Sequence, residues 1–180
     1  WTYFEIDPKV VALAENPRYF TFLQDARKRG VDLPPPILGD GRLMVERSPH
    51  KFDLLLLDAF SSDAIPVHLL TREALAEYLA KLRSGGLLAF HISSRYLDLE
   101  RVLAGLAREA GLAGVVWDEG ELTPQESEQG RAASHWVVVG RRREDFGPLG
   151  RVAHWLPLEH PAGLVWSDDF SNLLGIVRWK

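Results

Sequence analysis

A doubly wound α/β fold with a mostly parallel sheet is predicted by three features of the sequence. Apolar runs of strand length alternate with stretches of helical periodicity, the order that builds βαβ units. The run Phe52-Asp53-Leu54-Leu55-Leu56-Leu57 is almost continuous leucine, as in a central strand of a parallel sheet covered on both faces. It ends on Asp58, and the two strands predicted before it also end on acids, Glu5 and Asp7 after the first and Asp40 after the second. Ligands of open α/β sheets bind just beyond the carboxyl ends of the strands. These acids are therefore the first candidates for a site.

Each element follows from its own residues. Trp1 to Asp7 is aromatic and β-branched and reads as a strand. Asp7 is placed to cap a helix with Pro8 in its first turn, and Val10, Val11, Leu13 and Ala14 have the spacing of a buried helical face. That helix ends before Pro17 or continues, broken, through Tyr19 to Lys28. Pro34-Pro35-Pro36 is a loop, followed by a short strand at Ile37 and a helix from Arg42 to Ser48. After the leucine strand, Leu69 to Leu82 is an amphipathic helix stopped by Gly85-Gly86, and Leu87 to Ile92 is a strand that brings His91, Ser93 and Ser94 to its end. A helix from Leu99 to Ala110 and a strand from Gly114 to Trp117 come next. Residues 118–133 are polar and read as a loop, and Ser134 to Gly140 is the last clear strand.

The composition narrows the classes. With 180 residues, 46% hydrophobic and 26% charged, the chain can bury one substantial core and reads as a single globular domain. Residues 1–147 are predicted to form it, and residues 148–180, with Trp155, Trp166 and Trp179, are predicted to pack back on it as a tail. A net charge of −4 and an isoelectric point near 5.9 give no general attraction to nucleic acid, and Arg141, Arg142 and Arg143 read as a solvated strand end. There is no cysteine, hence no disulfide framework and no thiolate metal site. No stretch approaches the roughly 20 apolar residues that span a bilayer. The chain opens on Trp1 directly into a strand and carries no Gly-x-Gly-x-x-Gly loop between a strand and a helix. The expectation is that the first βα unit of the fold is missing.

A resemblance rests on four segments in order: Phe4-Glu5-Ile6-Asp7-Pro8, Gly39-Asp40-Gly41, the leucine strand through Asp58, and Leu82-Arg83-Ser84-Gly85-Gly86-Leu87-Leu88. Together they resemble the spermidine synthase family of aminopropyltransferases, which share the Rossmann-like fold of S-adenosylmethionine-dependent methyltransferases. Two further stretches, Asp58 to Thr71 and Phe90 to Leu99, are similar to a bacterial branch in which such a domain follows membrane-spanning helices. The resemblance covers roughly the first hundred residues. It implies a transferase of polyamine biosynthesis with decarboxylated S-adenosylmethionine, or S-adenosylmethionine itself, as co-substrate and no permanently bound cofactor. It also implies a polyamine acceptor as the second small-molecule partner. The implied location is cytoplasmic, with tethering to the inner face of a membrane left open, as is a homodimer.

The resemblance assigns roles to particular residues. Glu5 falls where the family holds the two ribose hydroxyls, against the plainer reading of an exposed strand-end acid; a carboxylate there can accept both hydroxyl protons. Asp7 is assigned to helix capping. Asp40 matches the acceptor for the adenine amino group, with Gly41 leaving room for the ring; capping the helix at Arg42 suits the same position. Asp58 matches the acid that acts on the attacking amine, and a buried acid with no such purpose after a leucine run would be costly. Asp63 is the candidate for holding the acceptor. Family members carry two acids three residues apart and then a Pro-Gly pair. Here Asp58 and Asp63 are five apart and Pro66 has no glycine after it, so the acceptor is not read from these residues.

Other candidates have plainer readings. His91 suits a proton shuttle or a hydrogen-bonded structural residue. Tyr96, Trp117 and the tail tryptophans read as core before a cation cage, and Asp168 and Asp169 as a turn before a closing flap. His50, His68, His135, His154 and His160 lack metal-ligand spacing, so no metal is expected. Two alternatives stand beside the aminopropyltransferase: a methyltransferase using intact S-adenosylmethionine on an unknown acceptor, and a non-catalytic domain that senses nucleosides or polyamines.

Overall fold

The computed structural model describes residues 1–60, 65–94, 96–120, 122–160 and 163–178. Composition predicts one domain; the chain divides into two compact units, residues 1–49 and 50–180.

In the first unit, strands β1 (Phe4–Glu5) and β2 (Ile37–Leu38) pair in parallel, with Phe4 opposite Ile37 and Glu5 opposite Leu38. Helix α1 (Pro8–Glu15) begins as its residues dictate: Asp7 caps it, Oδ1 accepting from the Lys9 N–H at 2.8 Å. Asn16 is extended, the conformation that Pro17 imposes on the residue before it, so α1 stops there and α2 (Phe22–Lys28) is a separate helix. Helix α3 (Gly41–Arg47) follows β2. The buried face expected on α1 is not covered. None of its residues is buried, and Val10 and Leu13 are exposed, because a unit built on two-residue strands has too little apolar surface to enclose a helix.

The second unit holds a five-stranded sheet in the order β3-β4-β6-β5-β7, made of Phe52–Leu57, Leu82–His91, His135–Gly140, Ala113–Asp118 and Leu156–Pro157 respectively. β3 and β4 are parallel, while β6 runs against both β4 and β5 and β7 runs against β5. It follows that β3, β4 and β5 share one direction. Helices α4 (Arg72–Lys81) and α5 (Leu99–Glu109) make the crossovers between them, so the α/β class and the common direction of these strands are as the sequence predicts.

Three local differences have physical causes. Helix α4 starts at Arg72, later than the apolar spacing from Leu69 predicts, because the buried Thr71 hydroxyl accepts the Ala74 N–H at 3.1 Å and fixes the cap there. The polar segment read as a loop contains helix α6 (Pro124–Glu128), too short to show an apolar face but begun by a capping box between Thr123 and Glu126. The hydrogen bonds from the Thr123 backbone and then its hydroxyl, with Arg131 nearby, hold the Glu126 carboxyl below the usual carboxylate range. Finally, β3 is the outer strand of its sheet. Leu55 is buried, but Leu54 and Leu56 are 45% and 51% exposed, so the strand is not covered on both faces.

The core of this unit is formed by Leu88, Phe90, Val137, Val139 and Val102. The tail closes onto it: the Leu164 N–H donates to the Arg101 carbonyl at 3.1 Å, the Arg72 N–H to the Trp166 carbonyl at 2.9 Å, and the Asp98 N–H to the Ile176 carbonyl at 2.8 Å. Trp166 is fully buried. Among the described residues, no helix is long and apolar enough to cross a membrane.

Candidate active site

In the first unit, the parallel pairing of β1 with β2 brings Glu5 and the Gly39–Gly41 turn to the same end of the two strands. The Gly39 N–H donates to the Glu5 carbonyl at 2.9 Å. Gly39 has φ +149°, and a Cβ there would lie 2.9 Å from Met44 Cγ, so the turn favours glycine on both counts. Space around Gly41 is open, with no atom within 4 Å of where a Cβ would stand. The Glu5 Oε1 accepts the Asp7 N–H at 2.9 Å and the Asp40 Oδ1 accepts the Leu43 N–H at 3.0 Å. Asp40 is thus an N-cap, the plainer of its two readings.

In the second unit, Asp58 directly follows β3. Leu57 lies opposite Phe90 in the parallel register, which sets Asp58 beside His91 at the end of β4. Asp58 Oδ1 is 2.6 Å from His91 Nδ1. The His91 Nε2 is 2.7 Å from Ser93 Oγ, which in turn accepts the His135 N–H at 2.8 Å. The His91 ring stacks on Trp136, with centroids 4.5 Å apart and planes at 19°. Nearby, the buried His135 turns its Nε2 toward Glu100 Oε2 at 3.1 Å. The burial argument for Asp58 fails, because its side chain is 54% exposed; what distinguishes it is the histidine holding one of its oxygens.

Of the remaining candidates, Asp63 lies outside the described residues. Asp168 belongs to a turn closed by paired Ser167 and Phe170 backbone bonds, with its Oδ1 accepting from the Thr71 hydroxyl at 2.7 Å and its N–H donating to Glu73 Oε2 at 3.0 Å. Trp117 packs edge-on against Trp155 at 5.7 Å, and Tyr96 is exposed. Among the described residues, no three His, Asp or Glu side chains are grouped to hold a metal ion. The Asp58–His91–Ser93 chain was not legible as a unit in the sequence, since it depends on the β3–β4 register. The available signal was that both Asp58 and His91 follow apolar strand runs.

Over 87 residues the chain is 42% identical to a curated polyamine aminopropyltransferase of Vibrio vulnificus. The chain resembles that aminopropyltransferase in sequence over the matched residues. The matched stretch takes in 47% of this chain and 26% of the relative, so the chain spans well under two thirds of that protein. Searched against protein-family models, it matches none. Similar solved structures include a probable spermidine synthase from Corynebacterium glutamicum, 20% identical with a TM-score of 0.40 over 67% of this chain and 44% of that one. Another is MNMC2 from Aquifex aeolicus, 21% identical with a TM-score of 0.42 over 75% and 41% of the two chains.

Proposed function

We propose that this chain carries the catalytic residues of an aminopropyltransferase that moves the aminopropyl group of decarboxylated S-adenosylmethionine to a polyamine. The observation that carries the proposal is Asp58: an exposed carboxylate at the carboxyl end of β3, with one oxygen engaged by His91, within a chain similar to a curated polyamine aminopropyltransferase. The acceptor amine is an ammonium near neutral pH and must lose a proton before it can attack. Asp58 attracts the ammonium and takes that proton. The freed lone pair attacks the methylene carbon next to the sulfonium, and the C–S bond breaks with its electrons passing to sulfur. Methylthioadenosine leaves, and the new secondary amine carries the positive charge.

Glu5 is assigned to the ribose hydroxyls, Asp40 to the adenine amino group and Gly41 to the space for the ring. Glu5→Gln is expected to weaken binding of methylthioadenosine by about 1–3 kcal/mol, the scale of a charge-assisted hydrogen bond left unmade. Titration calorimetry on the full-length protein checks it; unchanged affinity removes Glu5 from the ribose. Asp63, five residues beyond Asp58, is assigned to the acceptor.

The activity itself is tested by incubating the full-length protein with either sulfonium compound and a set of diamines. Transfer of an aminopropyl group supports the proposal. Methyl transfer alone favours a methyltransferase, and binding without turnover favours a sensing domain.

A further inference from the structure

We propose that His91 is a positioning residue for Asp58, holding the carboxylate by Oδ1 so that Oδ2 meets the incoming ammonium. This rests on the reading of Asp58 as the base. A contact of 2.6 Å between Asp58 Oδ1 and His91 Nδ1 requires a proton between them, and an ionised carboxylate has none to give. The proton is therefore on Nδ1. The other ring nitrogen then offers a lone pair, and Ser93 lies 2.7 Å from it. The Ser93 hydroxyl accepts the His135 N–H at 2.8 Å with one lone pair and has its own hydrogen to give to Nε2. The stacked Trp136 fixes the ring plane. The carboxylate thus places the proton on Nδ1, Ser93 suits a bare Nε2, and the stacking sets the orientation.

The consequence is specific to an exposed acid. A carboxylate that is 54% exposed rotates freely unless something holds it, and ordering it in advance lowers the cost of reaching an attacking geometry. No hydrogen bond to Asp58 Oδ2 occurs among the described residues. In the transfer step the ammonium proton passes to Oδ2, giving the neutral acid, and leaves from there to solvent. His91 keeps its own proton on Nδ1 throughout.

Two measurements on the full-length protein test this. Nitrogen NMR of the resting protein is expected to show His91 protonated on Nδ1 and bare on Nε2; the opposite tautomer overturns the proposal whether or not the protein is a transferase. In the transfer assay, His91→Phe, which keeps a ring against Trp136 but loses the donor, is expected to lower kcat about 10- to 100-fold with the donor KM unchanged. His91→Asn, whose amide N–H can still reach Oδ1, is expected to recover most of that loss. Equal loss in both variants, or a change confined to KM, overturns the positioning role. Absence of any transfer by the wild-type protein overturns the proposed function instead, and the NMR result alone then decides whether His91 holds Asp58.

Discussion

Asp58→Asn is expected to leave nucleoside binding nearly intact and to lower aminopropyl transfer about a hundredfold or more, the scale on which a general base is lost. The substitution is close to isosteric, and an asparagine carbonyl still accepts the His91 Nδ1–H that now lies 2.6 Å from the carboxylate. The fold has no reason to respond, since the side chain is exposed and exposed substitutions away from special features cost little stability. What is lost is the negative charge that attracts the ammonium and the oxygen that removes its proton. Calorimetry with methylthioadenosine, alongside a transfer assay, separates the two. If binding falls as far as turnover, Asp58 is holding the nucleoside and the assigned role is wrong.

The largest expected effect on stability is at Gly105, in the middle of α5. Helix α5 buries almost its whole length, and the tail crosses it so closely that a Cβ at Gly105 would lie 2.2 Å from the Leu164 carbonyl oxygen and 2.7 Å from its carbon. Those are backbone atoms, pinned by the Leu164 N–H bond to Arg101, and they cannot rotate away as a side chain would. Gly105→Ala gains about 0.5–1 kcal/mol from helix propensity. Overpacking against an unyielding neighbour costs about 1–3 kcal/mol or more, so the clash wins. Chemical denaturation is expected to show a net loss of about 1–2 kcal/mol. A variant as stable as the parent would mean that the tail does not lie across α5.

The parts of this fold that were legible in the sequence are those set by local chemistry. Asp7 and Pro8 start α1, Pro17 separates it from α2, and the alternation of apolar runs with helical spacing gives β3, α4, β4, α5 and β5 in order. What the sequence hid depends on pairing. The leucines of β3 look like a fully enclosed strand, yet Leu54 and Leu56 are exposed, because coverage is a property of neighbours and not of the run itself. The same holds for the site. Each acid could be found one at a time at a strand end, while the contact between Asp58 and His91 exists only because Leu57 is set opposite Phe90 in the β3–β4 register. Asp40 shows the converse: its cap on α3 was readable from the Asp40-Gly41 start of a helix.

The central claim is that these carboxylates serve a cationic donor. Under the proposed function Glu5, Asp40 and Asp58 each act as carboxylates, and decarboxylated S-adenosylmethionine presents an ammonium where the parent compound also carries a carboxylate. Competition between the two sulfonium compounds on the full-length protein, with putrescine and related diamines present, tests this most directly. The account predicts tighter binding of the decarboxylated compound and transfer of its aminopropyl group. Tighter binding of intact S-adenosylmethionine, with methyl transfer and no aminopropyl transfer, would contradict it.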